Sequence, residues 1–219
     1  MKLFIADDTC SRAVQVIANE LGLNPDLVHF DVLGKTTSTG EAFFDVNPLG
    51  YVPALQLDNP QLDILTETGP ITSFLADQYP QSGLTPPQGT LERAKVDVLL
   101  NFIGTEIAQK HIPLMRKLLT EAGTEWTRAK LVAAYARMDE LLSDGRAYIT
   151  GEQFSVVDAY LWATLWHARS GAQIGHLTKL FAWKDRVEAR ASVKKALSDE
   201  SEIVTKHRAK IAAEAAVVA

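Results

Sequence analysis

Residues 2–21 read K-L-F-I-A-D-D-T-C-S-R-A-V-Q-V-I-A-N-E-L, and the periodicity changes within the stretch. Lys2–Ala6 is a short apolar run of the kind that forms a buried strand. From Ser11 to Leu21 the apolar positions Val14, Ile17, Ala18 and Leu21 fall on one helical face. Gly22 follows, a residue free to take the positive φ that ends a helix. Leu27–Val32 is a second apolar run, so strand, helix and strand form a βαβ unit whose strands are expected to be parallel.

Working outward, Gly34–Gly40 reads as a polar loop, followed by a short helical stretch that ends at Asn47-Pro48. Val52–Leu57 reads as a strand with Pro53 at its start. Proline cannot donate to a sheet ladder, so Pro53 belongs at a strand start or in a tight turn, with a cis bond as one option. Leu62–Leu65 pairs with it through the Asp58–Gln61 turn. Thr68 is then a plausible N-cap for a helix with Pro70 in its first turn. The order β-α-β-α-β-β-α occupies residues 1–80. The Pro/Gly-rich string Y-P-Q-S-G-L-T-P-P-Q-G follows, and residues 81–90 are read as a linker. Residues 91–219 show only helical spacing. The expected segments are Leu91–Ala122, Trp126–Leu142, Val156–Arg169, Leu177–Arg190 and Val193–Leu197, with a frayed tail E-A-A-V-V-A. Ser155-Val156-Val157-Asp158 has the form of a capping box with Asp in place of Glu.

The bulk composition bounds the function. The chain has 219 residues, 47% of them hydrophobic and 22% charged, with a net charge of -5. That balance, with no basic stretch, argues against a nucleic-acid partner. No window approaches the roughly 18 apolar residues that span a bilayer, so no membrane partner is expected. The N-terminal apolar run is too short for a signal peptide, and one cysteine forms no internal disulfide; the expected location is the cytoplasm. The five histidines, His29, His111, His167, His176 and His207, show no metal-ligand spacing, so no metal is expected.

Four places are candidates for chemistry. Cys10 follows a strand and starts a helix, where backbone N–H groups lower a thiol pKa and Arg12 adds a cation. Asp7 and Asp8 act against this. By residue type it is equally a buried small hydrophobe; its place at the C-terminal end of a strand, where α/β sheets bind ligands, favours the reactive reading. Glu67-Thr68 at a helix start suits the carboxylate and ammonium of a free amino-acid moiety, against the plainer reading as a cap. The backbone of Val52 could pair with a peptide as an added strand does. His111 precedes a helix-kinking proline, and with Trp166 it is the candidate for lining an apolar pocket; the plainer readings are a surface histidine and a core tryptophan.

The segments M-K-L-F-I…T-C-S, N-P-L-G-Y-V-P-A-L-Q-L-D, L-T-E-T-G-P-I-T-S-F-L-A-D-Q-Y-P and F-S-V-V-D-A-Y-L together resemble the cytosolic glutathione transferases. Cys10 and N-P-x-G-x-V-P-A-L are most similar to the bacterial beta class. The resemblance implies an α/β thioredoxin-like N-terminal domain that binds glutathione, an all-α C-terminal domain that holds a small hydrophobic electrophile, and a homodimer. Glutathione enters as co-substrate, with no cofactor. It implies that Cys10 lies beside the glutathione sulfur, directly or as a mixed disulfide. Val52 and Pro53 would pair with the cysteinyl backbone, Glu67 and Thr68 would hold the γ-glutamyl end, Lys35 would reach the glycine end, and Asn101 would contact glutathione across the dimer. Ser11 is a second candidate for favouring the thiolate, and His111 and Trp166 fall to the electrophile site. Three positions depart from the class: Ala108 stands where histidine is common, Ile5 where tyrosine is common, and D-D-T where P-G-A is usual. The expected activity is conjugation of the glutathione thiolate to electrophiles, with disulfide or peroxide reduction through Cys10 as an extension. The alternative is a non-catalytic glutathione-fold binding or stress-response protein.

Overall fold

The computed structural model describes residues 1–61 and 63–218. The chain divides into two compact units, Met1–Leu75 with Ala191–Ala219, and Ala76–Arg190.

In the first unit, β1 (Lys2–Ile5), β2 (Asp26–Asp31), β3 (Thr36–Thr37), β4 (Ala54–Gln56) and β5 (Ile64–Thr66) form one sheet in the order β3-β2-β1-β4-β5. β1 and β2 run parallel with Phe4 opposite Val28, and the other neighbours pair antiparallel. The βαβ reading and the hairpin before α3 (Thr68–Asp77) both hold. Leu62, the first residue of the expected strand Leu62–Leu65, lies outside the described residues. β3 falls inside the expected polar loop, because two threonines with no apolar alternation give no strand signal.

Side chains alternate across the sheet, so β1 serves both faces. Phe4 packs with Val28, Phe30, Ala54 and Phe43 of α2 (Phe43–Val46). The Phe30 and Phe43 rings lie 4.3 Å apart. Toward the other face, α1 (Ser11–Glu20) buries Val14, Ile17 and Ala18, the apolar stripe read from the sequence, along with Ala13 and Val16. Gly22 ends α1 at φ 68°; the Leu23 N–H closes the turn onto the Ala18 carbonyl at 2.8 Å.

The last helix corrects the expected division at 91–219. α10 (Ala191–Val218) packs on α1 and β2, within the first unit. Helical spacing is legible in the sequence only over Val193–Leu197, because this long, charge-rich helix shows a weak apolar stripe. Helix continues through the residues expected to fray, as far as Val218; Ala219 lies outside the described residues.

The second unit contains α4 (Leu91–Phe102), a π-helical turn (Ile103–Ala108), α5 (Gln109–Met115), α6 (Glu121–Leu141), α7 (Val156–Ala163), α8 (His167–Ser170) and α9 (Thr178–Glu188). The single helix expected over Leu91–Ala122 is therefore interrupted. The hydroxyls of Thr90 and Thr120 accept the N–H groups of Arg93 and Gly123, both at 3.2 Å, and so start α4 and α6. The Ser155–Asp158 box starts α7 as read: the Asp158 carboxylate accepts the Ser155 N–H at 2.9 Å and its hydroxyl at 2.7 Å. No helix among the described residues is long and apolar enough to cross a membrane.

Candidate functional site

The first unit brings Cys10, Val52, Pro53, Glu67 and Thr68 together where β1 ends and β4 begins. The Val52–Pro53 bond is cis. Cys10 is half-buried at the start of α1, and its thiol donates to the Val52 carbonyl at 3.6 Å. The buried Thr68 hydroxyl also hydrogen-bonds the sulfur, and Glu67 is close enough for its charge to be felt there. α3 begins at Thr68, so the helix starts one residue earlier than an N-cap at Thr68 implies. Glu67 before it is exposed and takes φ 70°, a left-handed conformation uncommon outside glycine.

The electrostatics at the sulfur reverse the expected direction. Burial pushes the Cys10 thiol pKa up, the Thr68 hydrogen bond and backbone amide pull it down, and the Glu67 charge adds to the rise. The net shift is upward, so Cys10 is a thiol that donates. The cation expected to help is engaged elsewhere: Arg12 binds Glu200 of α10 at 2.6 Å and Asp8 at 2.7 Å. Asp7 binds Arg208 at 2.8 Å and His29 at 3.3 Å. Of the two aspartates read as neighbours of the thiol, Asp7 is thus a partner of α10 and Asp8 is paired with Arg12 of α1. Ser11 is not a candidate for the thiolate either. It is fully buried, and its hydroxyl lies 3.3 Å from both the Ala6 carbonyl and the Ala6 N–H and 2.8 Å from the Thr9 hydroxyl.

Lys35 is exposed on the loop after β2, with its ammonium 5.4 Å from the Phe44 ring centre. Asn101 is an exposed residue of α4 in the second unit. His111 and Trp166, expected to line a pocket, are interior residues of that unit, 0% and 8% exposed. Proline does sit inside α5, but His111 faces inward, its Nε2 at 2.7 Å from the Tyr135 hydroxyl, which donates to the Thr164 carbonyl at 2.9 Å. Tyr135 and Thr164 carried no sequence signal, because nothing local tells a buried tyrosine that bridges helices from one that merely fills space.

The second unit also contains a cleft of about 820 Å³, with Leu84, Leu91, Val98, Leu99, Leu141 and Ile149 in its wall. Leu91 and Val98 of α4 are 66% and 67% exposed.

A mixed sheet with a cis-proline beside a cysteine at a helix start defines the thioredoxin-like class. Comparison with known proteins narrows it. A family model described as Glutathione S-transferase, N-terminal domain, matches residues 9–78, and one described as Glutathione S-transferase, C-terminal domain, matches 105–190. The glutathione S-transferase GstA of Escherichia coli O157:H7 is 35% identical over 201 residues, covering 91% of this chain and 98% of that protein. The bacterial transferase BphK, solved as a ternary complex, superposes with a TM-score of 0.86 at 34% identity, over 92% of this chain and 100% of its own. A sphingomonad glutathione S-transferase complexed with glutathione gives 0.85 at 35% identity, over 92% and 99%. The chain belongs to the glutathione S-transferase family. It is a transferase of that family, similar to bacterial beta-class members.

Proposed function

We propose that this chain binds glutathione at the cis-proline edge of its sheet and conjugates the thiolate to small hydrophobic electrophiles, with Cys10 as donor to the glutathione sulfur. The observation that carries this reading is the Cys10 thiol, 3.6 Å from the Val52 carbonyl beside buried Thr68. Val52 and Pro53 pair with the cysteinyl backbone of the tripeptide, which sets its sulfur next to Cys10. Thr68 and the first amides of α3 receive the γ-glutamyl carboxylate, and Glu67 receives the ammonium. The exposed Lys35 ammonium meets the glycine carboxylate, and Asn101 of a second copy closes the site. A hydrogen bond from a neutral thiol to a thiolate stabilises the charged form, raising the thiolate fraction at neutral pH, and the thiolate is the nucleophile.

The raised Cys10 pKa favours this role over disulfide or peroxide reduction, in which Cys10 itself would attack as a thiolate. Cys10→Ala removes the donor and is expected to slow turnover of a chlorinated nitrobenzene roughly tenfold or more, the worth of one hydrogen bond to a charged group. Cys10→Ser keeps a donor and is expected to restore most of the rate. Unchanged turnover in Cys10→Ala would make the thiol structural. Retention of the wild-type chain on immobilised glutathione, with no turnover of that substrate or of a hydroperoxide, would favour the non-catalytic binding protein.

The same reading makes the chain a homodimer. Exposed Leu91 and Val98 border the apolar cleft of the second unit, and the first unit exposes Leu49 and Tyr51, at 71% and 58%, to meet it in a second copy. Val98→Asp is expected to shift the elution volume to that of a monomer; an unchanged dimer would exclude this face. The unpaired cysteine suits the reducing cytoplasm.

A further inference from the structure

The Asp7-Asp8 pair, unexplained by the chemistry at Cys10, leads to a second arrangement in the first unit. His29 of β2 and His207 of α10 are buried, 1% and 3% exposed, with their Nδ1 atoms 2.8 Å apart and their rings edge to face. The Nε2 of His29 lies 3.3 Å from Asp7 Oδ1, and the second Asp7 oxygen accepts Arg208 of α10 at 2.8 Å. One residue on, Asp8 takes φ 54°, donates its N–H to Glu200 at 3.3 Å and accepts Arg12 at 2.7 Å. Glu200 is itself 4% exposed and held by Arg12. The loop that leads into Cys10 is therefore fastened to α10 at consecutive residues, and beside it the His29–His207 contact joins β2 to α10 through two imidazoles, a side-chain type that gains or loses a proton near neutral pH.

The geometry points to a proton-operated latch: a single proton on the Nδ1···Nδ1 axis of His29 and His207 holds α10 against β2 and the Asp7-Asp8 loop, and a second proton opens it. Two nitrogens 2.8 Å apart form a hydrogen bond only if one carries hydrogen and the other a lone pair. With His29 Nε2–H directed to Asp7, the neutral pair has His207 Nδ1–H donating to His29 Nδ1. One added proton is accommodated, because the His29 ring can then donate at both nitrogens, to Asp7 and to His207. The next proton places N–H against N–H, and the rings must part.

The other charges facing the pair come from three elements. Asp7 on the loop holds His29. Asp31 on β2 and Glu214 on α10 favour a charged His207, while Lys210 on α10 and the His29 charge oppose it. For His207 burial is the foremost cause and the balance lies below the ordinary histidine value. The Ser38 hydroxyl accepts the His29 backbone N–H at 3.1 Å and takes no part in the proton exchange.

The latch goes beyond the proposed conjugation chemistry and stands or falls without it. Two measurements on the whole chain test it. Nitrogen-15 NMR of the histidine rings near pH 7.5 should show one Nδ1 of the pair bearing hydrogen and the other bare. Amide exchange, corrected for intrinsic rates, should show β2 and the part of α10 around His207 losing protection by about tenfold or more between roughly pH 7.5 and 5.5, while α6 keeps its own. His207→Gln, which can still hydrogen-bond His29 but does not titrate, should lose this pH dependence. Nδ1 atoms in the same protonation state, constant protection in the wild-type chain, or an equal loss in His207→Gln would each overturn the latch. The nitrogen measurement decides on wild-type protein even if the variant fails to fold.

Discussion

Asp158→Ala is expected to destabilise the protein by about 4 kcal/mol, lowering Tm by roughly 10 °C in a chain of this size. The carboxylate is completely buried and takes four hydrogen bonds. Oδ1 accepts the Ile149 N–H at 2.9 Å and the Trp183 Nε1–H at 2.8 Å. Oδ2 accepts the N–H and hydroxyl of Ser155 at 2.9 and 2.7 Å. Burial pushes the Asp158 pKa up against those four donors. Alanine leaves the buried Ile149 and Trp183 donors without their acceptor, and each such donor costs about 1–3 kcal/mol. Ser155→Ala removes only the hydroxyl, leaves the Ser155 N–H on Asp158, and should cost about 1 kcal/mol. Urea midpoints of the two variants check this. An Asp158→Ala chain within 1 kcal/mol of wild type would show that the box merely starts α7, without tying it to Ile149 and Trp183.

That contrast bears on how much the sequence revealed. Ser155-x-x-Asp158 is legible as a helix start because its two residues sit at a fixed local offset. Trp183 and Ile149 are not, because their bonds to Asp158 form only after α9 and the preceding loop pack. The same boundary runs through the site. The cis-proline string, the helix-start cysteine and Glu67-Thr68 are local features, and the structure assembles them around one sulfur. The direction of the Cys10 pKa was not legible: helix N–H groups and Arg12 argue downward, and the fold overrides them by burying the thiol and turning Arg12 to Glu200. Residue type likewise suggested a surface position for His111 or a cleft beside a kinked helix, whereas its bond to Tyr135 puts it in the core.

The D-D-T string shows the limit most clearly. Read along the chain, two carboxylates near a thiol can only be weighed against it. Glu200, His207 and Arg208 lie about two hundred residues away in sequence, and no local pattern pairs them with Asp7 and Asp8. Once α10 packs on α1 and β2, the same charges become fastenings of the loop. The interactions a local reading gets wrong here are long-range polar ones, whose energy depends on which partner the fold delivers.

The His111–Tyr135 pair should make the second unit acid-labile in a way one substitution removes. The Tyr135 proton goes to the Thr164 carbonyl, which can only accept, so His111 must donate from Nε2–H and its buried Nδ1 remains a lone pair. Burial, aided by the charges of His167 and Arg169, lowers the His111 pKa to about 4. The unfolded chain has an ordinary imidazole near 6.5, so between those values the unfolded state binds more protons and stability rises with pH. The contribution is complete above about 6.5 and is lost as pH falls through about 4. Two and a half pH units correspond to about 3 kcal/mol. His111→Phe keeps a planar ring in the core, leaves the Tyr135–Thr164 bond intact and cannot titrate. Its stability should fall below wild type near neutral pH by about 1 kcal/mol, and the order should invert on acidification. Urea midpoints measured from about pH 7.5 down to 4.5 read the difference, in which titrating groups that do not interact with His111 cancel. Parallel curves for the two proteins would mean that His111 exchanges protons as freely in the folded state as in the unfolded one, and the buried donor chain would have to be abandoned.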